Sequence, residues 1–196
     1  MRAIGMRRVV LFYGVMAALA FAAIWGRGDW NHVLPPWQGQ VWALHTSVGL
    51  CLGLALVGIS RLMASKFEWA AQLTREFRGL VGDLSHQEIA AAALVSGIGE
   101  EALFRGVLQP ALGLWIGAAV FGLLHIGPNR RFIPWTIMAF AAGLLFGLVF
   151  EWTGDLLAPT LAHIAVNYLN LRYLSPGELR TEVLLGSVGG QRAADY

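Results

Sequence analysis

The sequence predicts an all-α integral membrane protein, a bundle of about six transmembrane helices. The first reason is composition: of 196 residues, 57% are hydrophobic and only 13% are charged, whereas roughly a quarter of the residues are charged in an ordinary soluble domain. The second is that several apolar stretches approach the roughly 20 residues that a helix needs to cross the hydrocarbon core. No repeat or low-complexity tract divides the chain, so residues 1–196 are expected to form a single membrane domain.

Six apolar stretches are the candidate spans. They run from about Val9 to Trp25, Val41 to Ser60, Ile89 to Leu108, Leu112 to Ile126, Pro134 to Trp152 and Leu156 to Tyr173. Pro110 is expected to end the third helix, because proline has no N–H to donate inside a helix. The first stretch resembles a signal peptide but its apolar run exceeds the usual length, so we expect it to be retained.

A more polar segment connects the second and third spans. Its apolar residues recur at helical spacing and would share one face: Met63, Phe67, Ala70, Leu73, Phe77 and Leu80. Lys66, Arg75 and Arg78 lie elsewhere on the helix. The pattern predicts an interfacial amphipathic helix on the anionic cytoplasmic surface. A substrate gate is the alternative interpretation.

Basic residues predict the orientation, because Lys and Arg are retained on the cytoplasmic side. With six spans, twelve of the fourteen fall on one side: Arg2, Arg7, Arg8, Arg61, Lys66, Arg75, Arg78, Arg130, Arg131, Arg172, Arg180 and Arg192. Arg27 lies on the other side and Arg105 within a helix. We therefore expect both termini in the cytoplasm and a multi-pass protein of the cytoplasmic membrane, with the lipid bilayer as a partner. The net charge of +2 reflects this bias and gives no reason to expect nucleic-acid binding.

Three charged residues lie inside the third span: Glu100, Glu101 and Arg105. A charge at the bilayer centre costs about 3 kcal/mol on insertion scales, so such residues are functional candidates by default. Glu101 and Arg105 are four residues apart, share a helix face and can neutralise each other. Glu100 is less readily paired, and a buried, unpaired carboxylate can act as a base near neutral pH. We assign chemistry to Glu100 and a structural role to Glu101.

Other spans contribute further polar residues. The fourth ends with Phe121 and His125, and the sixth carries His163 and Asn167 on one face. The interiors of the first, second and fifth spans contain almost no polar residues. His45 in the second is expected to be a packing or interface residue, and the Gly-x-x-x-Gly pairs Gly49/Gly53 and Gly143/Gly147 are expected to allow close packing within the bundle. Cys51 is the only cysteine, which excludes a disulfide framework and a cysteine metal site.

These motifs resemble one family, the glutamic-type intramembrane peptidases that include the CAAX prenyl endopeptidases and their bacteriocin-processing relatives (the CPBP family). The family pattern is Glu-Glu with an Arg four residues after the second Glu, then Phe-x-x-x-His, then His-x-x-x-Asn, each on a separate helix. All seven positions match in order: Glu100, Glu101, Arg105, Phe121, His125, His163 and Asn167. The resemblance covers the peptidase-motif core from about 86 to 170.

The resemblance implies an intramembrane endopeptidase that cleaves a membrane-anchored or lipidated peptide. Glu100 and His125 would orient and deprotonate a water, and His163 and Asn167 would stabilise the oxyanion. No metal or other cofactor is favoured. The alternative is a Zn²⁺ ion held by Glu100, His125 and His163, since a catalytic zinc needs about three protein ligands.

Two other classes of function stay open at this point. A small ion or proton transporter would also carry buried Glu, Arg and His, but it needs a continuous polar route, whereas these residues cluster on three helices. A noncatalytic membrane scaffold or immunity factor would keep the fold without the activity, and the intact motifs count against it.

Overall fold

The computed structural model describes residues 5–175, and within that range every regular element is helical. The α-helices are α1 (Met6–Arg27), α2 (Gly39–Lys66), α3 (Glu68–Val81), α4 (His86–Leu103), α5 (Gln109–Leu112), α6 (Leu114–Leu124), α7 (Ile133–Thr153) and α8 (Leu157–Leu174). A π-helical turn, Phe104–Leu108, joins α4 to α5, and 3₁₀ turns occupy Trp30–His32 and Arg130–Phe132. The all-helical prediction is confirmed for the described residues. Arg2, Arg180 and Arg192 lie outside them.

Three helical segments within residues 5–175 are long and apolar enough to cross a membrane: Met6–Arg27, Gly39–Lys66 and Arg130–Thr153. Helices α4 and α8 each have 18 residues but are less apolar, because they carry the polar residues of interest. Helix α6 is apolar but has only 11 residues. Large apolar side chains cover the outside of the bundle, with Leu19 67% and Leu124 70% exposed, as expected of lipid-facing positions. A count of six spans stays a prediction.

Helix α4 has a central position in the bundle. It packs along α1 on one side and α8 on the other, while α2 packs on α8 and α6 on α7. A capping box begins α4: Glu88 N–H donates to the Ser85 hydroxyl, and the Ser85 N–H donates to the Glu88 carboxylate. The polar residues in the second half of α4 are therefore held in the interior of the bundle.

The Gly-x-x-x-Gly pair of α2 lies directly against α8. A Cβ at Gly49 would overlap the backbone of Ala158, and one at Gly53 would come within 2.8 Å of the Ala162 carbonyl oxygen. Small residues at these two positions therefore allow the two backbones to approach closely, as predicted.

We expect Gly49→Ala to lower the thermal stability of the protein, because the added methyl group meets backbone atoms that cannot rotate away. Gly58→Ala is the matched control in the same helix, since a Cβ there meets nothing within 4 Å and alanine favours the helix by roughly 1 kcal/mol. Thermal unfolding of both variants in detergent measures the difference. Equal melting temperatures would contradict the close packing of α2 on α8.

The end of α4 differs from the prediction that Pro110 closes this helix. The Gln109 N–H bonds five residues back to the Phe104 carbonyl in the π-helical turn, and the chain stays helical to Leu112, where Gly113 at φ +82° ends it. Pro110 has no N–H for the Gly106 carbonyl four residues before it. The guanidinium of Arg27 donates to that carbonyl instead, and to the Val107 carbonyl at 3.3 Å. A side chain from α1 thus replaces the missing backbone donor.

Helix α3 is the predicted amphipathic helix, with Ala70 and Leu73 buried against the bundle. It begins later than the pattern suggested: Met63 belongs to α2, and Phe67 interrupts the helix with an extended backbone, φ −122° and ψ 125°. The position of α3 on a membrane surface stays a prediction.

Candidate active site

The site lies where α4, α6 and α8 meet. Helix α4 provides Glu100 and Glu101 from its last turn. His125 is the C-terminal cap of α6, and His163 is in the second turn of α8. The packing of α8 on α4 brings residues that are 62 positions apart in the sequence into direct contact.

Glu101 is the structural centre of the site. One carboxylate oxygen, Oε1, accepts from Arg105 Nη1 at 2.8 Å and from His163 Nδ1 at 2.6 Å. Glu101 is completely buried and Arg105 is 2% exposed. Breaking such a buried pair by removing one partner is strongly destabilising, because the other charge is left uncompensated. The pairing of Glu101 with Arg105 that their spacing predicted is present, and the structural role assigned to Glu101 stays a prediction.

Arg105 also connects the π-helical turn after α4 to α7 and to the surrounding aromatic rings. Its Nη2 donates to the Gly143 carbonyl at 2.9 Å. Its guanidinium carbon lies 4.9 Å from the ring centre of Phe121 and 5.5 Å from that of Phe146, within the range of cation–π attraction. One turn further on, Gln109 Nε2 donates to the Gly147 carbonyl at 3.1 Å. Gly143 and Gly147 allow close packing, as predicted, because a Cβ at Gly147 would overlap the side chains of Leu114 and Gln109. Their carbonyls accept from side chains of the π-helical turn and of α5.

Glu100 has a different environment from its neighbour. Its Oε2 atom lies 3.8 Å from His125 Nε2 and 3.8 Å from His163 Nε2. The residue is 7% exposed, and Oε2 is buried without a hydrogen-bond partner in the part of the chain that the structure describes. Both distances exceed a direct hydrogen bond, so Glu100 Oε2 faces two imidazole nitrogens without bonding directly to either of them.

The orientation of His125 is fixed by a backbone contact. A carbonyl oxygen can only accept, so the Nδ1–H of His125 donates to the Phe121 carbonyl at 2.7 Å. In the neutral ring, Nε2 is then unprotonated and is the atom that faces Glu100. The His125 side chain is 23% exposed, against 5% for His163, so the site has access to its surroundings on the His125 side.

Aromatic rings surround the two histidines. Phe121 lies 4.4 Å from the His125 ring centre and 5.8 Å from that of His163, and Phe146 stacks on His163 at 5.2 Å. These rings exclude water and strengthen the electrostatic interactions inside the site. Phe121, one of the motif positions, therefore contacts both imidazoles and Arg105.

Asn167 lies beside this centre, one helical turn beyond His163. Its Nδ2 donates to the Ser96 hydroxyl at 2.9 Å, and Ser96 in turn donates to the Ala92 carbonyl at 2.7 Å. Ser96 is one turn before Glu100 on α4. The Nε2 atoms of His125 and His163 therefore both lie 3.8 Å from Glu100 Oε2. Asn167 lies in the turn of α8 that follows His163.

Two residues near the site were not among the candidates predicted from the sequence. Ser96 is a polar residue one turn from Glu100 in an alanine-rich helix, and that spacing was a usable signal. Tyr13 is the second: its hydroxyl faces the Glu100 carboxylate from α1, a span from which no polar contribution was expected. No local pattern indicates Tyr13, because its contact depends on the packing of α1 against Gly99.

A second buried polar pair lies away from these residues. His45 Nδ1 and Asp155 Oδ2 are 2.7 Å apart, and the other Asp155 oxygen accepts from the Leu157 N–H at 2.9 Å. The pair connects α2 to the beginning of α8. His45 is therefore the packing residue that was predicted, and its partner Asp155 was not foreseen because it comes from a distant turn.

The side chains of the site bear on metal binding. No group of three His, Cys, Asp or Glu side chains between residues 5 and 175 has the arrangement of a metal site. The set Glu100, His125 and His163 includes a histidine whose Nδ1 is already bonded to Glu101, which leaves its Nε2 as the available donor atom. Metal dependence stays a prediction for experiment.

Comparison with known proteins gives a match for the region that contains this site. Residues 85–169 match the family model described as "Type II CAAX prenyl endopeptidase Rce1-like". A stretch of 74 residues is 42% identical to "Uncharacterized protein YpbD" of Bacillus subtilis (strain 168). That match covers 38% of this chain and 39% of YpbD, so the chain matches about two fifths of the length of this relative. No solved structure matches the chain.

Proposed function

We propose that the chain is an intramembrane endopeptidase, because residues 85–169 match the family model described as "Type II CAAX prenyl endopeptidase Rce1-like". It hydrolyses a peptide bond in a membrane-anchored or lipidated peptide or protein. The observation that supports this best is the convergence of Glu100 Oε2 with the Nε2 atoms of His125 and His163, each 3.8 Å away, in a site lined by aromatic rings.

Glu100 and His125 activate the attacking water in this proposal. Two polar atoms too far apart for a direct hydrogen bond can share a bridging water, and the 3.8 Å between Glu100 Oε2 and His125 Nε2 suits that arrangement. Glu100 takes the proton as the water attacks the scissile carbonyl carbon. His125, with its Nδ1–H donated to Phe121, accepts the second hydrogen of the water at Nε2 and orients it. The proton then passes to the leaving amine as the peptide bond breaks.

His163 and Asn167 stabilise the oxyanion. We assign His163 the protonated form, in which Nδ1–H donates to Glu101 at 2.6 Å and Nε2–H donates toward the reacting carbonyl oxygen. The charges then balance, with Glu100 and Glu101 negative and Arg105 and His163 positive. The Asn167 amide carries two N–H groups, and Ser96 accepts one. The second is available to substrate.

Asn167→Ala is expected to lower kcat by about 100-fold, the usual effect of losing one oxyanion donor, with little change in KM, because the donor acts mainly in the transition state. Asn170→Ala, three residues further along α8, is the matched control and should leave kcat unchanged. Steady-state kinetics on both variants measures kcat and KM and tests this role. A kcat for Asn167→Ala equal to that of the unmodified protein would reject the oxyanion role.

The topology proposed with this function has six spans and both termini in the cytoplasm, in the cytoplasmic membrane. Besides the three long apolar helices, α4, α6 and α8 complete the bundle. His125 and the basic 3₁₀ turn Arg130–Phe132 lie toward one end, which the positive-inside rule places in the cytoplasm. The site therefore opens toward the cytoplasmic half of the membrane.

The experiment that tests this function is cleavage, by the purified protein in detergent, of a library of membrane-anchored and lipidated peptides, with a chelator in parallel. We expect cleavage that resists the chelator. Loss of cleavage on chelation, restored by Zn²⁺, would overturn the metal-independent mechanism and indicate Glu100, His125 and His163 as ligands. No cleavage of any peptide by well-folded protein would favour a noncatalytic scaffold or immunity factor, and ion flux through proteoliposomes would indicate a transporter.

A further inference from the structure

Helix α3 contacts the candidate active site indirectly, through a chain of aromatic rings. The Phe77 ring of α3 lies 4.9 Å from the Trp135 ring of α7, at an interplanar angle of 81°. Trp135 in turn lies 5.2 Å from the His125 ring at 72°. Edge-to-face pairs at such distances are favourable beyond the area that they bury. His125 is therefore held between Phe121 and Trp135, and Trp135 is held by α3.

The loop that follows His125 is attached to the same helix. Phe77 also packs edge-to-face on Phe132, with ring centres 5.1 Å apart. Arg131, next to Phe132, forms an ion pair with Glu76 of α3 at 2.5 Å. Phe132 is 1% exposed, and a Cβ at Gly127 would overlap its ring. Two neighbouring residues of α3 thus hold the last two residues of the 3₁₀ turn, which leads from the loop after His125 into α7.

His125 needs this external support because α6 ends there. It is the C-terminal cap of α6, with φ −98° and ψ 22°, so no further helical turn holds its backbone. The His125 N–H still donates to the Gly122 carbonyl at 3.0 Å, its Nδ1–H donates to the Phe121 carbonyl, and the Thr136 hydroxyl donates to the His125 carbonyl at 3.1 Å. The distance from His125 Nε2 to Glu100 then depends on how the Trp135 ring and the loop are packed.

We propose that α3 is a positioning element of the active site, in which Phe77 acts through Trp135, and Glu76 through Arg131, to hold His125 toward Glu100. The inference rests on the proposed function for its kinetic consequence, but the structural coupling stands independently of it. Phe77 and Glu76 do not touch the reacting atoms. They set the population of the active geometry, in which the imidazole and the carboxylate can share one water.

The test compares four variants of the full-length protein. Phe77→Leu removes the aromatic contact and keeps an apolar side chain. Glu76→Arg places a second cation beside Arg131. The double variant Glu76→Arg with Arg131→Glu restores an ion pair in which the two charges have exchanged positions. Glu68→Arg is the matched control, because Glu68 pairs with Arg75 at 2.6 Å within α3 and does not reach the turn. The readouts are the labelling rate of His125 by diethyl pyrocarbonate, mapped by mass spectrometry against His32, and kcat and KM on a peptide that the unmodified protein cleaves.

Phe77→Leu is expected to raise the labelling rate of His125 several-fold and to lower kcat by roughly tenfold, with KM and melting temperature nearly unchanged, because small misplacements of a catalytic group reduce rate strongly. Glu76→Arg should act in the same direction by about two- to fivefold, since half-exposed ion pairs are weak. The charge-reversed pair should return to the rate of the unmodified protein, and Glu68→Arg should match it throughout.

Unchanged His125 labelling in folded Phe77→Leu protein would overturn the proposal, as would a charge-reversed double variant no better than Glu76→Arg alone. Labelling needs no substrate. If the unmodified protein cleaves nothing, the peptidase function fails, while the labelling rates still decide whether α3 positions His125.

Discussion

Replacing Glu100 with glutamine is expected to reduce turnover by roughly a hundredfold to ten-thousandfold, the range that a general base contributes, without loss of the fold. Oε2 of Glu100 has no hydrogen-bond partner within residues 5–175, so the substitution breaks no bond there. An amide of nearly the same shape fills the same space but cannot take a proton from water. Turnover with a peptide substrate and the melting temperature, measured on one preparation, test both halves of this expectation.

Glu68→Gln provides the control, because it makes the same chemical change on the exposed surface of α3. Its activity should equal that of the unmodified protein. Appreciable cleavage by Glu100→Gln would mean that another group deprotonates the water, and a large drop in its melting temperature would mean that Glu100 also has a structural role.

Replacing Glu101 with glutamine is expected to act mainly on stability. Arg105 and His163 both bond to the Oε1 atom of Glu101, and both are almost fully buried. Removing one partner of a buried pair costs about 3 to 5 kcal/mol, because an uncompensated charge is left behind. Low expression and a melting temperature well below that of Glu100→Gln should result, as measured by thermal unfolding in detergent.

A second variant separates charge from shape at this position. Glu101→Gln combined with Arg105→Met removes both charges and should recover part of the lost stability, since replacing a whole buried pair by apolar groups is often neutral. If Glu101→Gln and Glu100→Gln were equally stable, the different roles assigned to the two glutamates would be wrong.

Much of the architecture could be predicted because it depends on local chemistry. The apolar stretches correspond closely to α1, α2, α6, α7 and α8, and α3 follows from its apolar spacing. The pairing of Glu101 with Arg105 also follows from helical periodicity and is present at 2.8 Å. These inferences, each of which needs only one helix, agree with the structure, except that α3 begins at Glu68 and leaves Met63 in α2.

The rest depends on contacts between distant parts of the chain. Proline chemistry correctly indicated a lost bond at Pro110, but the chain stays helical to Leu112 and Arg27, some 80 residues away, donates in its place. The link from His163 to Glu101 and the approach of Tyr13 to Glu100 likewise need tertiary packing. A sequence pattern identifies candidate polar residues, whereas the side chains that they meet depend on how the helices assemble.

The central claim, that Glu100 activates a water for direct attack on a peptide bond, is tested most directly by a single-turnover cleavage in ¹⁸O-labelled water. The protein is reconstituted in liposomes in excess over a lipidated peptide. Mass spectrometry then measures the mass of the cleavage product that carries the new C-terminal carboxylate. If Glu100 is the base, the first turnover places ¹⁸O in that carboxylate, and Glu100→Gln forms product roughly a hundredfold to ten-thousandfold more slowly. Unlabelled first-turnover product, with ¹⁸O found in Glu100 instead, would show that Glu100 attacks the peptide itself and would contradict the account.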